Sequence, residues 1–144
     1  MGTEGTGDGQ FGSLDDLAVA PDGSFYVVDS GNHRVQKFTS EGVLMSKWGS
    51  EGKGDGQFFF PEGIAVASDG SVYVADTGNH RIQKFTSEGV FVNKWRTEFG
   101  NTGYSSFPSS VAVAPNGSIY VGSYITNRIK NYTSDGAFVT EWGS

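Results

Sequence analysis

Residues 58–95 read FFFPEGIAVASDGSVYVADTGNHRIQKFTSEGVFVNKW, and this stretch decides the fold. Four short strands are expected in it. Ile64 to Ala67 is a continuous run of small apolar residues, as suits a strand buried on both faces. Ser68-Asp69-Gly70 turns the chain. Val72 to Asp76 follows, with Val72 and Val74 on one face and Tyr73 and Ala75 on the other. Thr77-Gly78-Asn79-His80 is a second turn, in which Gly78 and Asn79 are the residues expected to tolerate positive φ. Arg81 to Phe85 is a third strand, more polar and so expected further from the core. Ser87-Glu88-Gly89 turns again, and Val90 to Trp95 is the outermost strand. Four strands joined by three tight turns make a meander, which cannot bury both faces alone and must stack on neighbours.

The stretch recurs. Trp48, Trp95 and Trp142 are 47 residues apart, as are Tyr26, Tyr73 and Tyr120, and Arg34, Arg81 and Arg128. A period of about 40–50 residues with alternating apolar positions belongs to propeller blades of four strands. Helical repeats of that length need 3.6-periodic apolar faces, and none is present. The expected class is all-β. The whole chain, 1–144, is expected to form one unit with blades at about 7–49, 54–96 and 101–143.

Composition narrows the function. The 22 glycines recur at turn positions, so they indicate tight turns rather than disorder. Without cysteine there is neither a disulfide framework nor a cysteine zinc site, and the redox compartment is left open. No apolar run approaches the roughly 20 residues of a membrane span. The N-terminal residues lack a basic region followed by an apolar stretch, so no signal peptide is expected. The sequence assigns no localisation. A net charge of −6 is the wrong balance for gripping phosphate backbones.

Gly2 to Gln10 and Gly49 to Gln57 are Gly-rich lead-ins, matched more loosely by Phe99 to Tyr104. They read as crossovers from an outer strand to the next inner strand. GKGDGQ lacks the GK[ST] ending and the strand–helix context of a phosphate-cradling loop. The end copies carry the deviations. Copy one has Leu14 for Pro61 and Asp16 for Gly63. Copy three has Ser105 for Phe58, and Gly122 to Arg128 replaces the central turn with a different sequence.

The pattern FxxPEGIAV…GSVYVADTGNHRIQKF…G…W resembles the NHL repeat over essentially the whole chain. It is carried by Asp29, Gly31, Asn32, His33, Arg34 and Phe38, and again by Asp76, Gly78, Asn79, His80, Arg81 and Phe85. Copy three keeps only Arg128 and an aromatic, Tyr132, from that set. The resemblance implies blades of a six-bladed β-propeller. The family includes ligand-binding, protein-binding and RNA-binding members and a lyase, so it implies fold more strongly than activity.

Each candidate residue has two readings. His33 and His80 are metal ligands on one propeller face, as in the amidating-lyase relatives, or they are turn residues of the GNHR motif. The motif is generic and copy three offers Asn127, which favours the turn; no metal or other cofactor is expected. Asp29 with Arg34, and Asp76 with Arg81, flank one turn and can form cross-strand ion pairs. Asp76 as a catalytic acid is the alternative, and repetition of the pair favours structure. Trp48, Trp95 and Trp142 form a binding stripe or, since each repeat has one, interblade packing anchors. Lys37, Lys47, Lys53, Lys84, Lys94 and Lys130 interleave with Glu41, Glu51, Glu88 and Glu98 as a mixed solvated surface. No basic cluster interleaved with aromatics marks RNA binding.

Propellers close with 4–8 blades. Three blades of six-bladed curvature leave two apolar faces uncovered, which monomers rarely tolerate. The expected assembly is a head-to-tail homodimer with its twofold axis along the channel. Both junctions together should bury roughly 2,000 Å² or more. A piece of a longer propeller, or an engineered chain, is the alternative. The functional expectation is a non-catalytic binding or interaction scaffold, taking a protein or small-molecule ligand rather than nucleic acid or membrane. A metal-dependent lyase and an RNA-binding domain are the rivals.

Overall fold

A computed structural model describes residues 5–97, 107–123 and 126–143. Twelve strands lie among the described residues, in three four-stranded antiparallel sheets ordered as meanders. The first sheet holds β1 (Leu14–Val19), β2 (Phe25–Asp29), β3 (Arg34–Phe38) and β4 (Leu44–Trp48). The second holds β5 (Gly63–Val66), β6 (Val72–Asp76), β7 (Arg81–Phe85) and β8 (Phe91–Arg96). The third holds β9 (Ser110–Val113), β10 (Ile119–Ser123), β11 (Arg128–Tyr132) and β12 (Phe138–Gly143). The two middle strands of the central repeat fall where the sequence puts them, and the outer two begin one residue away. The lead-in of copy three, with Glu98 and Ser105, lies outside the described residues, as do Tyr124 and Ile125 of its altered turn.

The sheets stack face to face through two cores. One joins Tyr26, Val28 and Val35 of the first blade to Phe58, Ile64, Val72, Val74 and Phe85 of the second. The other joins Ala65, Tyr73, Ala75 and Ile82 of the second to Val111, Ile119, Val121 and Tyr132 of the third. Alternation along β6 therefore sends Val72 and Val74 backward and Tyr73 and Ala75 forward. The first strands of the three blades, β1, β5 and β9, pack side by side. Each outermost strand carries a register shift that leaves Met45, Val92 or Val139 unpaired and exposed. Such bulges blunt a sheet edge against further pairing.

Three expectations are corrected. In blades one and two the third strand is not peripheral: β3 is buried along its whole length and β7 nearly so. The Gly-rich lead-in folds back over them and takes their polar side chains. Lys37 and Lys130 are buried rather than solvated, because Lys37 Nζ donates to the Ser87 carbonyl of the next blade and Lys130 Nζ to the Thr97 carbonyl. Finally, positive φ in the GNHR turn falls on His33 (52°), His80 (56°) and Asn127 (55°), not on Gly78 or Asn79. A Cβ on Gly78 would lie 2.4 Å from the Phe59 carbonyl oxygen, so that glycine is required by close approach.

Candidate functional site

The turn between the second and third strands of a blade is a single 3-10 turn, Ser30–Asn32 in blade one and Thr77–Asn79 in blade two. Beside it lies a buried polar latch. Asp29 Oδ1 accepts from the N–H groups of Gly12 and Ser13 at 2.8 and 3.0 Å, and Oδ2 accepts from Asn32 and Arg34. Arg34 then spends its remaining donors on the carbonyls of Thr6, Gly7 and Gln10. Blade two repeats this. Asp76 is fully buried, pairs with Arg81 Nε at 2.7 Å and also accepts from Phe59 N–H, Asn79 and Gln83. Arg81 holds the carbonyls of Lys53, Gly54 and Gln57. The acid–guanidinium pairs are thus buttons fastening each Gly-rich lead-in to its own blade. Blade three lacks the buried acid: Ser123 stands in its place, and Arg128 turns out to Glu141 at 3.2 Å.

The histidines occupy the same face and lean on the next blade. His33 Nδ1 accepts the Phe60 N–H at 3.0 Å, its ring is parallel to Phe59 at 5.7 Å and edge-on to Phe60 at 4.5 Å, and Nε2 is 3.8 Å from Glu51. His80 lies 4.3 Å from the Phe107 ring. Among the described residues no three His, Asp or Glu side chains gather as a metal site. The tryptophans bridge blades. Trp48 packs on Phe85 and over Gly89, and Trp95 on Tyr132 and over Gly136; a Cβ on either glycine would strike the indole at 2.4–2.5 Å. Trp142 stacks on Tyr120 of its own blade and is half exposed.

Two surfaces on this face were not singled out by the sequence. A cleft of about 520 Å³ is lined by Lys53, Asn79, His80, Arg81, Lys94 and Arg96, with Gly78 and Trp95. Its basic character is largely spent internally, since Arg81 is latched and Lys94 pairs with Asp55 at 2.6 Å. The second is Phe59–Phe60, exposed and edge-to-face at 4.8 Å, where copy one has Gly12 and Ser13. Phe60 has φ 51°, a conformation that costs a bulky L-residue roughly 1–3 kcal/mol. Next to it, Glu62 is raised above its ordinary range, first by burial and then by the nearby Asp15 carboxylate. The signal that could have found this corner is the departure of Phe59 and Phe60 from the repeat pattern.

Comparison with known proteins follows the fold. The NHL repeat profile matches residues 11–38 and 58–85, and a beta-propeller repeat profile matches 94–130. No curated protein sequence matches the chain. Among solved structures it is similar to a streptogramin B lyase, at TM-score 0.71 and 19% identity over 91% of this chain and 40% of that one. It is similar to virginiamycin B lyase from Staphylococcus aureus, at 0.72 and 17%, over 91% and 41%. The RRP9 WD40 repeats align at 0.75 and 15%, over 92% and 39%. At these identities the likeness establishes the fold alone, and the chain spans about two-fifths of the length of these structures.

Proposed function

This chain is an array of β-propeller repeats, two of them NHL repeats, and on that premise we propose that it is a non-catalytic binding module completed by a second copy of itself. The observation that carries the reading is burial compared at equivalent positions. Val35 and Ile82 are fully buried where another blade follows, whereas Ile129 is 49% exposed. In the other direction Ile64 and Val111 are buried against a preceding blade, whereas Leu17 is 52% exposed. The two internal junctions supply the template for the third. Tyr26 and Tyr73 donate to the carbonyls of Ser87 and Ser134, so Tyr120 is matched to Ser40 of the partner subunit. Trp142 likewise fits over the partner's Gly42 and Phe38. Two such junctions close six blades by a twofold axis, the commonest closed symmetry.

The non-catalytic part rests on where the reactive-looking groups go. Asp29, Asp76, Arg34 and Arg81 are consumed in fastening loops, and His33 accepts a backbone N–H against two phenylalanines. The remaining open chemistry lies at the channel mouth on the His33 face, where a protein or small ligand would sit. Light scattering after size exclusion tests the assembly. A mass of twice 15.4 kDa, held on dilution, is expected, and a stable folded 15.4 kDa species refutes ring closure.

A further inference from the structure

Phe59 and Phe60 are two large apolar rings left in water beside the channel mouth, on a backbone strained at Phe60. The repeat does not require large rings here, because blade one has Gly12 and Ser13 at these positions and both of their backbone N–H groups reach the latch carboxylate. Their position is well defined all the same. The Phe60 N–H is tied to His33, the Phe59 N–H to Asp76 at 2.8 Å, and the Phe59 carbonyl accepts from Gly78 at 2.8 Å. The pair is therefore a presented aromatic platform rather than a collapsed loop.

Charge says what the platform suits. Glu51 approaches the same His33 ring, and Glu62 starts the lead into β5 two residues beyond Phe60. Asp15, exposed at the bulge that opens β1, lies on the adjacent innermost strand. Glu62 is raised first by burial and then by the Asp15 carboxylate, and a cation placed beside it would relieve both. The geometry points to a binding site for an arginine-containing peptide segment, its guanidinium stacked on the face of one of the two perpendicular rings, Phe59 or Phe60, and against the edge of the other, with its N–H fork directed to Glu62 and Asp15. A guanidinium is planar, weakly hydrated and has five donors, whereas an ammonium is a compact, strongly hydrated point charge. The net charge of −6 also draws cationic segments toward the protein.

This assignment rests on reading the His33 face as the binding face, but it uses the residues of one chain and does not require ring closure. The test is fluorescence anisotropy of the whole protein with a short labelled peptide of alternating Arg and Gly, against the Lys–Gly counterpart of equal charge. The Arg peptide is expected to bind about tenfold more tightly than the Lys peptide. Phe59→Ala combined with Phe60→Gly should abolish that preference. Glycine accepts φ 51° without strain, so the double variant keeps its fold. Glu62→Gln should weaken both peptides several-fold. Equal affinity for the two peptides, a preference that survives the double variant, or no binding at low ionic strength overturns the site. Light scattering on the same sample separates the two readings. A closed pair that ignores the Arg peptide sinks the site and leaves the ring standing, and a monomer that binds it selectively does the reverse.

Discussion

Replacing Trp142 by Ala tests ring closure at the residue that should feel it most. Trp142 is 50% exposed in a single chain. A tryptophan has about 250 Å² to bury, so about 125 Å² stands in water. Trp48 and Trp95 keep part of their surface exposed even with a blade in front of them. About 80 Å² of Trp142 is therefore available for burial against Phe38 and Gly42 of the partner subunit. At about 25 cal/mol per Å² this amounts to about 2 kcal/mol per junction. The proposed dimer has two junctions, which gives about 4 kcal/mol, or about a thousandfold in its dissociation constant. Sedimentation equilibrium over a dilution series reads that constant directly. The internal control is Trp95→Ala, which removes an indole already covered by Tyr132 and should lower chain stability instead. If Trp142→Ala leaves the association constant within threefold of the parent's, the equivalence of the open and internal junctions is wrong.

Further outcomes follow from the latch, the turn and the channel mouth. Asp76→Ala strands the buried Arg81 guanidinium and should cost about 3–5 kcal/mol in urea unfolding, whereas Ser123→Ala at the equivalent place in blade three should be within about 1 kcal/mol of neutral. His80→Asn should be tolerated, as Asn127 already occupies that left-handed position in blade three; His80→Val should lower the melting temperature by several degrees. The folded protein holds the Glu62 carboxyl above the ordinary value of 4.5, so the folded state binds that proton more tightly than the unfolded chain. Stability from this group is present at low pH and is lost as pH rises from about 4.5 through the raised value. Glu62→Gln should therefore raise the melting temperature at pH 7, with the gain disappearing in scans below about pH 4.5.

Repetition and alternation determined most of the architecture without any structure. A spacing of 47 residues and period-2 alternation around Tyr73 are local properties of the chain, and they specify meanders that must stack. The pairing of Asp76 with Arg81 was also legible, because a five-residue separation across one turn brings the two into register. What the latch is for was decided only in three dimensions. Arg81 reaches back across 24 to 28 residues to the carbonyls of its own lead-in, and no local pattern encodes which loop will cover which strand. The same is true of Lys37, a surface residue by composition that is buried because the next blade brings the Ser87 carbonyl over it. The left-handed backbone falls on His80, whereas Gly78 is fixed by the close approach of Phe59. Phe58, Phe59 and Phe60 are three identical residues in a row, and the sequence does not say which of them is buried. Only the turn at Phe60 buries the first ring and leaves the other two at the surface, because burial depends on which neighbour arrives and not on hydrophobicity alone.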